Sequence, residues 1–593
     1  MSAPPRVGPQ NAFLDCISVP PFRQEARPAG DGASRGGEAA QAVLLRGKKA
    51  AKREGKGPQS GREKGRKARG KAAGDGEKPR AGAARGRARP PPSPCARGAN
   101  PIQWSASREG GVRRAGGAAE IEEGMDMAGS KRAGLGVFER SFWRLLLPLA
   151  LPIALQNLLT TSFRLVDTLM IGPLGDVSIA AVGLAGQASF LVELVLFGMV
   201  SGSAVFTAQY HGAGNLDGIR RTLGATLLFG VPFGLLATLV CFFFPTQVMA
   251  LLTDDAALIA EGTRYLTYAC WSYLPLSVYQ ALCTTLRSTE QVRLPVMGSA
   301  VCAVANGVLN YVFIFGVGPI APMGVAGAGL ATAITAALNP LLIVLVSLRE
   351  RNILIAPWKK LLDLRGFLGL YWRRVLPVLC NELLWSLSIV LLNMILGRMG
   401  TENYAALTVV RTVENVVYVF FVGVCSACNV LIGKRIGEGD EAAARLYARR
   451  FLVLIPLLGA AFGLLVAALR VPVLSLFDMS DAARAMAMGM MLVYAVDVGI
   501  RNVPYLCVVG IFRAGGDTRY GLIGDVVVNY GLVLPAVLLC SSIPGFSFLL
   551  TYIIMLAVDD VGKLAFYLPR IFSMKWIRPV ADRRAEALRQ ADA

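Results

Sequence analysis

Long apolar runs follow one another from Phe142 to Phe572, and they constrain this chain more than any other feature. Each has the roughly 20 residues that an α-helix needs to cross a hydrocarbon core about 30 Å thick. Short breaks marked by Gly, Pro or charged residues separate the runs. Because 54% of the chain is apolar and only 17% is charged, a water-soluble fold could not bury this surface. The sequence therefore predicts an all-α, polytopic membrane protein.

The connections between the runs test how many helices cross the membrane. The predicted spans are 142–171, 178–209, 222–244, 257–287, 292–317, 323–349, 368–399, 404–436, 446–470, 481–512, 519–541 and 546–572. With these twelve spans, Lys- and Arg-rich connections alternate strictly with connections that have almost none. This asymmetry predicts that the basic connections and both termini are cytoplasmic.

An internal repeat divides the apolar region into two parts. The segment LPIALQN at residue 151 matches LPVLCNE at residue 376, and the same offset of 225 pairs Gly175 with Gly400. Further along the chain the offset becomes 226 and pairs Arg287 with Arg513. Six helices per repeat give two lobes of the same orientation, related by a pseudo-two-fold axis along the membrane normal, an architecture typical of transporters.

The repeat and the charge distribution predict five regions. They are a basic low-complexity extension (1–135), an N-lobe of helices 1–6 (136–349), a cytoplasmic linker (350–367), a C-lobe of helices 7–12 (368–575) and a cytoplasmic tail (576–593). About two-thirds of the net charge of +21 lies before residue 133. Since that stretch has few aromatic or branched side chains to bury, it is either disordered or, given Met125 and Met127 just before the first span, not translated. We expect no nucleic-acid partner.

Several classes of chemistry lack their residues in this sequence. His211 is the only histidine, so neither a histidine relay nor a zinc site is expected. Cys425 and Cys428 have the spacing of a redox pair but lie in an apolar run of small residues, where packing is the expected role. No phosphate-binding G-x-x-x-x-G-K-[ST] loop occurs. We predict no enzyme, no catalytic residue and no cofactor, and expect an ion gradient to supply the energy.

Asp167 is the first ionisable residue that needs an explanation, because a charge within a spanning helix is costly. Gln156, Thr160, Arg164 and Asp167 are spaced four, four and three residues apart, so they share one face of the first span. A carboxylate facing the interior of the bundle can hold Na⁺ or accept a proton. The alternative is that Asp167 only pairs with Arg164 or lies at the membrane interface.

The fifth span carries Asn306 and Asn310, one helical turn apart. Amide oxygens are suitable ligands for a hard cation such as Na⁺. The alternative is that both amides only form hydrogen bonds between helices.

The second half has its own acidic residues. Glu382, beside Asn381, and Asp525 have no basic residue within a helical turn, so we expect unpaired carboxylates suited to proton exchange or to attracting an organic cation. Three other acidic sites lie near basic residues and are expected to be internally compensated. They are Arg411 with Glu414, Asp497 with Arg501, and Asp559 and Asp560 with Lys563.

Five segments together resemble the multidrug and toxic compound extrusion (MATE) family. They are LVDTLMIGPLG, AQYHGAG, ANGVLNYVFIFG, LIGKRIGEGD and GIFRAGGDTR, and the resemblance covers about residues 140–575. It implies a secondary antiporter that exports organic cations or other drugs in exchange for Na⁺ or H⁺. The family's coupling aspartate corresponds to Asp167, some members have an aspartate in place of Asn310, and Arg164 is not part of the family's pattern.

The residues and the resemblance together give a set of predicted sites. Ion coupling is assigned to Asp167, Asn306, Asn310 and Glu382, with Na⁺ coordination by Asp167, Asn306 and Asn310. Substrate contacts are assigned to Gln156, Asn157, Asn381, Glu382, Glu414 and Asp525.

We expect a monomeric multi-pass protein of a bacterial plasma membrane that works by alternating access, with membrane lipid and small organic cations as its partners. The alternative is a flippase for lipid-linked precursors from the same superfamily, which would need a cationic groove.

Overall fold

The computed structural model describes residues 139–477 and 479–580, except for the side chains of Arg164, Leu165 and Trp358. The chain forms twelve long helical segments in these residues, which we number helix 1 to helix 12. Their bounds are Arg140–Ile171, Asp176–Gly212, Leu216–Phe243, Ala256–Ala269 continuing through Cys270–Ser272 into Tyr273–Ser288, Arg293–Phe315, Val325–Glu350, Leu368–Gly397, Thr401–Glu438, Glu441–Leu474, Asp481–Gly515, Thr518–Ser542 and Phe548–Phe572. The basic extension and most of the C-terminal tail lie outside the described residues.

The all-α prediction is confirmed: within the described residues the only β-pairing is an isolated bridge between Val317 and Ile320. Ten of the twelve segments are long and apolar enough to cross a membrane. Helix 4 and helix 12 do not meet that criterion. Helix 4 is rich in polar and aromatic residues, and helix 12 has Asp559, Asp560 and Lys563 near its middle. The count of twelve spans therefore stays a prediction for these two helices.

Equivalent residues of the two repeats start equivalent helices. The Asn215 side chain accepts a hydrogen bond from the Gly218 amide at the start of helix 3, and Asp440 does the same for Ala443 at the start of helix 9. Gly175 and Gly400 both have positive φ angles, of 102° and 122°, in the turns after helices 1 and 7. A residue with a side chain would be strained in that conformation. The offset of 225 seen in the sequence thus corresponds to repeated local structure.

The two six-helix repeats pack through four helices. Helix 1 contacts helix 8, helix 2 contacts helix 7, and helices 2 and 8 contact each other. Since helices 1 and 7 are equivalent, and helices 2 and 8 are equivalent, these pairings are those expected of two repeats related by a pseudo-two-fold axis.

The end of the bundle that carries the Lys- and Arg-rich connections, which we call the basic end, brings the lobes into direct backbone contact. A Cβ atom added to Gly212 on helix 2 would collide with the Lys434 carbonyl on helix 8. One added to Gly437 on helix 8 would collide with the Gln209 carbonyl on helix 2. Because only glycine permits this approach, helices 2 and 8 meet main chain to main chain at their basic ends.

The segment after helix 12 also packs at the basic end. Trp576 is fully buried, and the Val580 amide donates a hydrogen bond to Gln209 Oε1 at 2.7 Å. Gln209 Nε2 in turn donates to the Ala514 carbonyl at 2.8 Å. These bonds connect the C-terminal segment, helix 2 and the end of helix 10.

Candidate functional site

The first lobe brings together the three residues predicted as a cation site. Asn306 and Asn310, on helix 5, are both 0% exposed. Asn310 Nδ2 donates hydrogen bonds to Asp167 Oδ1 on helix 1 and to Asn306 Oδ1 at 2.8 Å. The Asn310 amide therefore turns its NH₂ group toward the carboxylate, and its oxygen would have to rotate inward before it could bind a cation. The Arg164 side chain lies outside the described part, so the predicted alternative of an Asp167–Arg164 pair stays untested.

A second polar group in the first lobe surrounds Gln156, which is 2% exposed. Arg287, at the end of helix 4, donates from Nε to Gln156 Oε1 at 3.1 Å. The Gln156 Nε2 group contacts three acceptors: Tyr279 at 2.5 Å, Ser299 at 3.2 Å and Cys283 at 3.5 Å. The predicted substrate contact Gln156 is thus held between helices 1, 4 and 5. Asn157, its neighbour, has an Nδ2 group that is buried without a hydrogen-bond partner in the described residues.

Glu382 has a basic partner, contrary to the prediction that its carboxylate is unpaired. Arg513, at the end of helix 10, forms an ion pair with Glu382 through Nη2 and donates from Nη1 to Ser201 Oγ on helix 2 at 2.5 Å. Glu382 and Arg513 are 8% and 2% exposed. Spacing along one helix could not predict this pair, because Glu382 is on helix 7 and Arg513 is on helix 10. The pair lies where the two lobes meet.

Asp525 also has a basic neighbour that the sequence did not predict. Lys563 Nζ on helix 12 lies 3.9 Å from its carboxylate. Asn381 donates to Asp525 at 3.0 Å and the Tyr567 hydroxyl donates to it at 2.7 Å. Since Asn381 directly precedes Glu382, Asp525 and the Glu382–Arg513 pair belong to one connected polar region.

Glu414 does not pair with Arg411 as expected. It accepts a hydrogen bond from the Tyr552 hydroxyl at 2.7 Å and lies 3.5 Å from Arg501 of helix 10. Arg411 instead donates to the Asn393 side chain. A spacing of three residues along helix 8 is suitable for a local pair, but neighbouring helices supply the partners that Glu414 actually contacts.

The acidic residues of helices 10 and 12 form a contact that no local pattern could predict. The carboxyl groups of Asp497 and Asp560 lie close enough to each other to interact electrostatically. Two neighbouring carboxylates repel each other when both are ionised. The expected compensation within each helix holds in part: Lys563 lies 2.6 Å from Asp559, and Arg501 lies 3.9 Å from Asp497.

The second lobe therefore contains a connected set of buried and partly buried ionisable groups, which we call the acidic network. Its carboxylates are Glu414, Asp497, Asp525, Asp559 and Asp560, and the bases that contact them are Arg501 and Lys563. Sequence reasoning named only two of these as substrate contacts, Glu414 and Asp525. Asp497, Asp559 and Asp560 could have been added because they are acidic residues near the middle of helices 10 and 12, where a charge is costly.

Comparison with known proteins matches both halves of this structure separately. The family model MatE matches residues 152–312 and 377–539, one segment in each repeat. The chain is 30% identical over 416 residues to a probable multidrug resistance protein NorM of Deinococcus radiodurans, covering 68% of this chain and 89% of that protein. It is 25% identical over 401 residues to the multidrug resistance protein MdtK of Pectobacterium atrosepticum, covering 66% and 86%.

Solved structures share the fold at lower sequence identity. The Vibrio cholerae MATE transporter VcmN in its bent form superposes with a TM-score of 0.66 and 19% identity, covering 74% of this chain and 99% of that one. A MOP superfamily transporter from Pyrococcus furiosus gives a TM-score of 0.67 and 17% identity, covering 75% and 99%. These likenesses support the two-lobed helical architecture.

Proposed function

The chain belongs to the MatE family, and from this premise we propose that it is a drug exporter that exchanges organic cations for protons. Its similarity to NorM and MdtK, both named as multidrug resistance proteins, supports drugs as the cargo. The observation that carries the proposal is the acidic network, which lies within one lobe and is connected through Asn381 to Glu382 at the lobe interface. The protein is then a transporter rather than an enzyme.

The contact between Asp497 and Asp560 favours protons over Na⁺ as the coupling ion. Two carboxyl groups held close together favour a proton on one of them, because two neighbouring negative charges repel each other. In the first lobe, Asp167 and Asn306 accept hydrogen bonds from the NH₂ group of Asn310, which takes the place that a cation would occupy between their oxygens. We therefore assign proton coupling, and treat Na⁺ exchange as the outcome that would contradict it.

Competition for carboxylates gives the exchange a physical basis. An organic cation is attracted to an ionised carboxylate, and protonation removes that attraction. A ligand shifts the equilibrium between two conformations only through a difference in its affinity for them. Protonation of Asp167 or of the acidic network would thus bias the lobes toward the conformation that has released the drug. We propose that the contact at the basic end must open during this cycle.

The proposal also includes the location and orientation of the protein. The protein acts as a monomer in the plasma membrane of a bacterium, with the basic end and both termini in the cytoplasm. The flippase alternative would need a cationic groove along the transport path, whereas the acidic network has more carboxylates than bases.

Proteoliposomes containing the full chain test the proposal. With ethidium as the probe, an imposed pH gradient should drive uptake or release of the cation, and an imposed Na⁺ gradient should not. Transport driven by Na⁺ alone would overturn proton coupling, and transport driven by neither gradient would overturn antiport. Asp167→Asn and Glu382→Gln should each reduce the proton-driven flux. Glu402→Gln, which removes an exposed carboxylate in the first turn of helix 8, is the matched control and should leave the flux unchanged.

A further inference from the structure

Four arginines surround a cavity at the basic end that plays no part in the proposed exchange. The cavity has a volume of about 350 Å³ and is lined by Leu370, Arg373, Arg374, Arg519 and Arg578. These residues come from three separate parts of the chain: the start of helix 7, the start of helix 11 and the segment after helix 12. Three segments that each bring arginine to one cavity form a candidate site for a negatively charged group.

Hydrogen bonds to main-chain carbonyls hold the three segments together. The Thr518 hydroxyl donates to the Arg374 carbonyl at 3.1 Å, which joins helix 11 to helix 7. The Arg578 amide donates to the Gly515 carbonyl at 2.8 Å, which joins the last segment to the end of helix 10. Arg374 also donates from Nη1 to the Gly516 carbonyl. The main chain therefore fixes where the arginine side chains begin, so their convergence is a property of the fold.

The protein supplies too little negative charge to balance this cavity. Among the described residues, Asp517 is the carboxylate that contacts an arginine of the cavity, at 3.1 Å from Arg578. The same carboxylate also binds Arg570, at 2.7 Å. Arg374 has a buried Nε atom with no hydrogen-bond partner in the described residues. Repulsion among like charges and an unsatisfied buried donor are both costly. An anion in the cavity would relieve both.

We infer that this cavity binds a phosphate group, and that an anionic phospholipid headgroup supplies it. Guanidinium groups match the geometry of phosphate oxygens and can bind them in pairs. The cavity lies at the ends of membrane-spanning helices, where headgroups are found, and Leu370 provides an apolar wall next to the charges. Basic pockets between transmembrane helices are known to bind anionic lipid headgroups.

The first repeat shows that the site is not a general consequence of the fold. At the positions equivalent to Arg373 and Arg374 it has Pro148 and Leu149, although Arg293 corresponds to Arg519. One arginine out of the set does not make a cavity for an anion. The site is therefore specific to the second repeat, which makes the binding of a single anion per chain the expected stoichiometry.

Native mass spectrometry of the purified full chain tests the inference with phosphatidylglycerol, phosphatidylcholine and inorganic phosphate as separate probes. Phosphatidylglycerol should be retained with one molecule bound tightly, and phosphatidylcholine should not. Arg373→Gln and Arg519→Gln should each weaken that binding by about fivefold, the contribution of one basic residue near an anionic membrane surface. Both side chains are exposed, so folding should be preserved. Arg349→Gln, an exposed arginine at the end of helix 6, is the matched control.

Each outcome decides the inference. Equal retention of phosphatidylglycerol by the wild type and the Arg373→Gln/Arg519→Gln variant would overturn it, and so would equal retention of the two lipids by the wild type. If inorganic phosphate raises the thermal unfolding midpoint of the wild type but not of the double variant, while phosphatidylglycerol has no effect, the phosphate site stands and its ligand is a free phosphate.

Discussion

The two lobes place an arginine in the same position but give it different partners. Near the end of the fourth helix of each repeat, Arg287 and Arg513 reach back to the first helix of the same repeat. Arg287 binds the neutral amide of Gln156, whereas Arg513 binds the carboxylate of Glu382. The same backbone arrangement thus supports a hydrogen bond from arginine to a neutral amide in the first lobe and a buried ion pair in the second.

The same difference appears between the first and fifth helices of each repeat. Gln156 donates to the Ser299 hydroxyl at 3.2 Å, and the equivalent Asn381 donates to the equivalent Asp525 at 3.0 Å. The repeat offsets pair Gln156 with Asn381 and Ser299 with Asp525. The geometry of the hydrogen bond is retained while the acceptor changes from a hydroxyl to a carboxylate. At these contacts only the second copy has carboxylates.

The first lobe has an acidic group of its own at a position where the second has none. The residues equivalent to Asp167, Asn306 and Asn310 are Leu392, Leu532 and Ala536. The lobes are thus alike in backbone and complementary in polar side chains. The repeat therefore predicts where helices contact each other, whereas the side chains that meet at each contact differ between the two copies.

The largest expected effect is the loss of Lys563, because this base contacts both Asp525 and Asp559. Lys563→Met should lower the free energy of unfolding by about 5 kcal/mol, since it leaves buried carboxylates without their cation. Thermal unfolding in detergent micelles measures the change. Adding Asp559→Asn should restore part of the stability. If the single variant is as stable as the wild type, the network does not depend on this ion pairing.

The arginine contacts offer the most direct test of the difference between the lobes. Arg513→Gln should cost about 3 kcal/mol because it leaves the Glu382 carboxylate buried without a partner. Arg287→Gln should cost only about 1 kcal/mol because its partner is a neutral amide. Unfolding of the two variants under identical conditions compares them, and Glu382→Gln should rescue Arg513→Gln. Equal losses would contradict the assignment of ionic and neutral contacts.

The amides of helix 5 should contribute less to stability than the ion pairs of the second lobe. Asn310→Ala removes the hydrogen bond that joins helix 5 to Asp167 on helix 1 and should cost about 0.6 kcal/mol, the average for hydrogen bonds between membrane helices. The unfolding midpoint measures this change, with Ala303→Gly on the same helix as a reference for backbone effects. A loss as large as that of Arg513→Gln would mean that the first lobe depends on its polar group as strongly as the second.

The smallest effect is expected at a contact that joins the lobes, between Glu139 before helix 1 and Arg450 of helix 9. The Ser141 side chain and Arg450 lower the pKa of Glu139, although partial burial opposes them. A lowered pKa adds stability at neutral pH that is lost as the pH falls through that pKa. Glu139→Gln should cost at most about 0.5 kcal/mol, because this carboxylate is half exposed. Unfolding measured from neutral to acidic pH should show the two proteins converge in stability.

The arrangement of helices could be predicted from the sequence because it depends on properties that are visible along one chain. Apolar length identifies the helices, and the repeat offset identifies equivalent turns such as those at Gly175 and Gly400. The first-lobe group was also predictable: the spacing of Asn306 and Asn310 puts them on one face, and the structure joins them to Asp167.

The partners of the second-lobe carboxylates could not be predicted in the same way. Glu382, Glu414 and Asp525 all bind groups from other helices. Arg513, which binds Glu382, and Tyr567, which binds Asp525, each lie more than 40 residues along the chain from their partner. Spacing along a helix reports only which side chains share its face. Which face of a neighbouring helix lies opposite a given side chain depends on how the helices pack. Helix packing cannot be deduced from the spacing of residues along one helix.

The glycine contact between helices 2 and 8 has a consequence for turnover. Main chain meets main chain there, so few side chains must choose a rotamer when the surfaces come together. Ordering side chains can cost up to about 2 kcal/mol for each long residue. In the exchange we propose, a seam built from Gly212 and Gly437 would avoid most of that entropy loss each time the two helices separate and meet again.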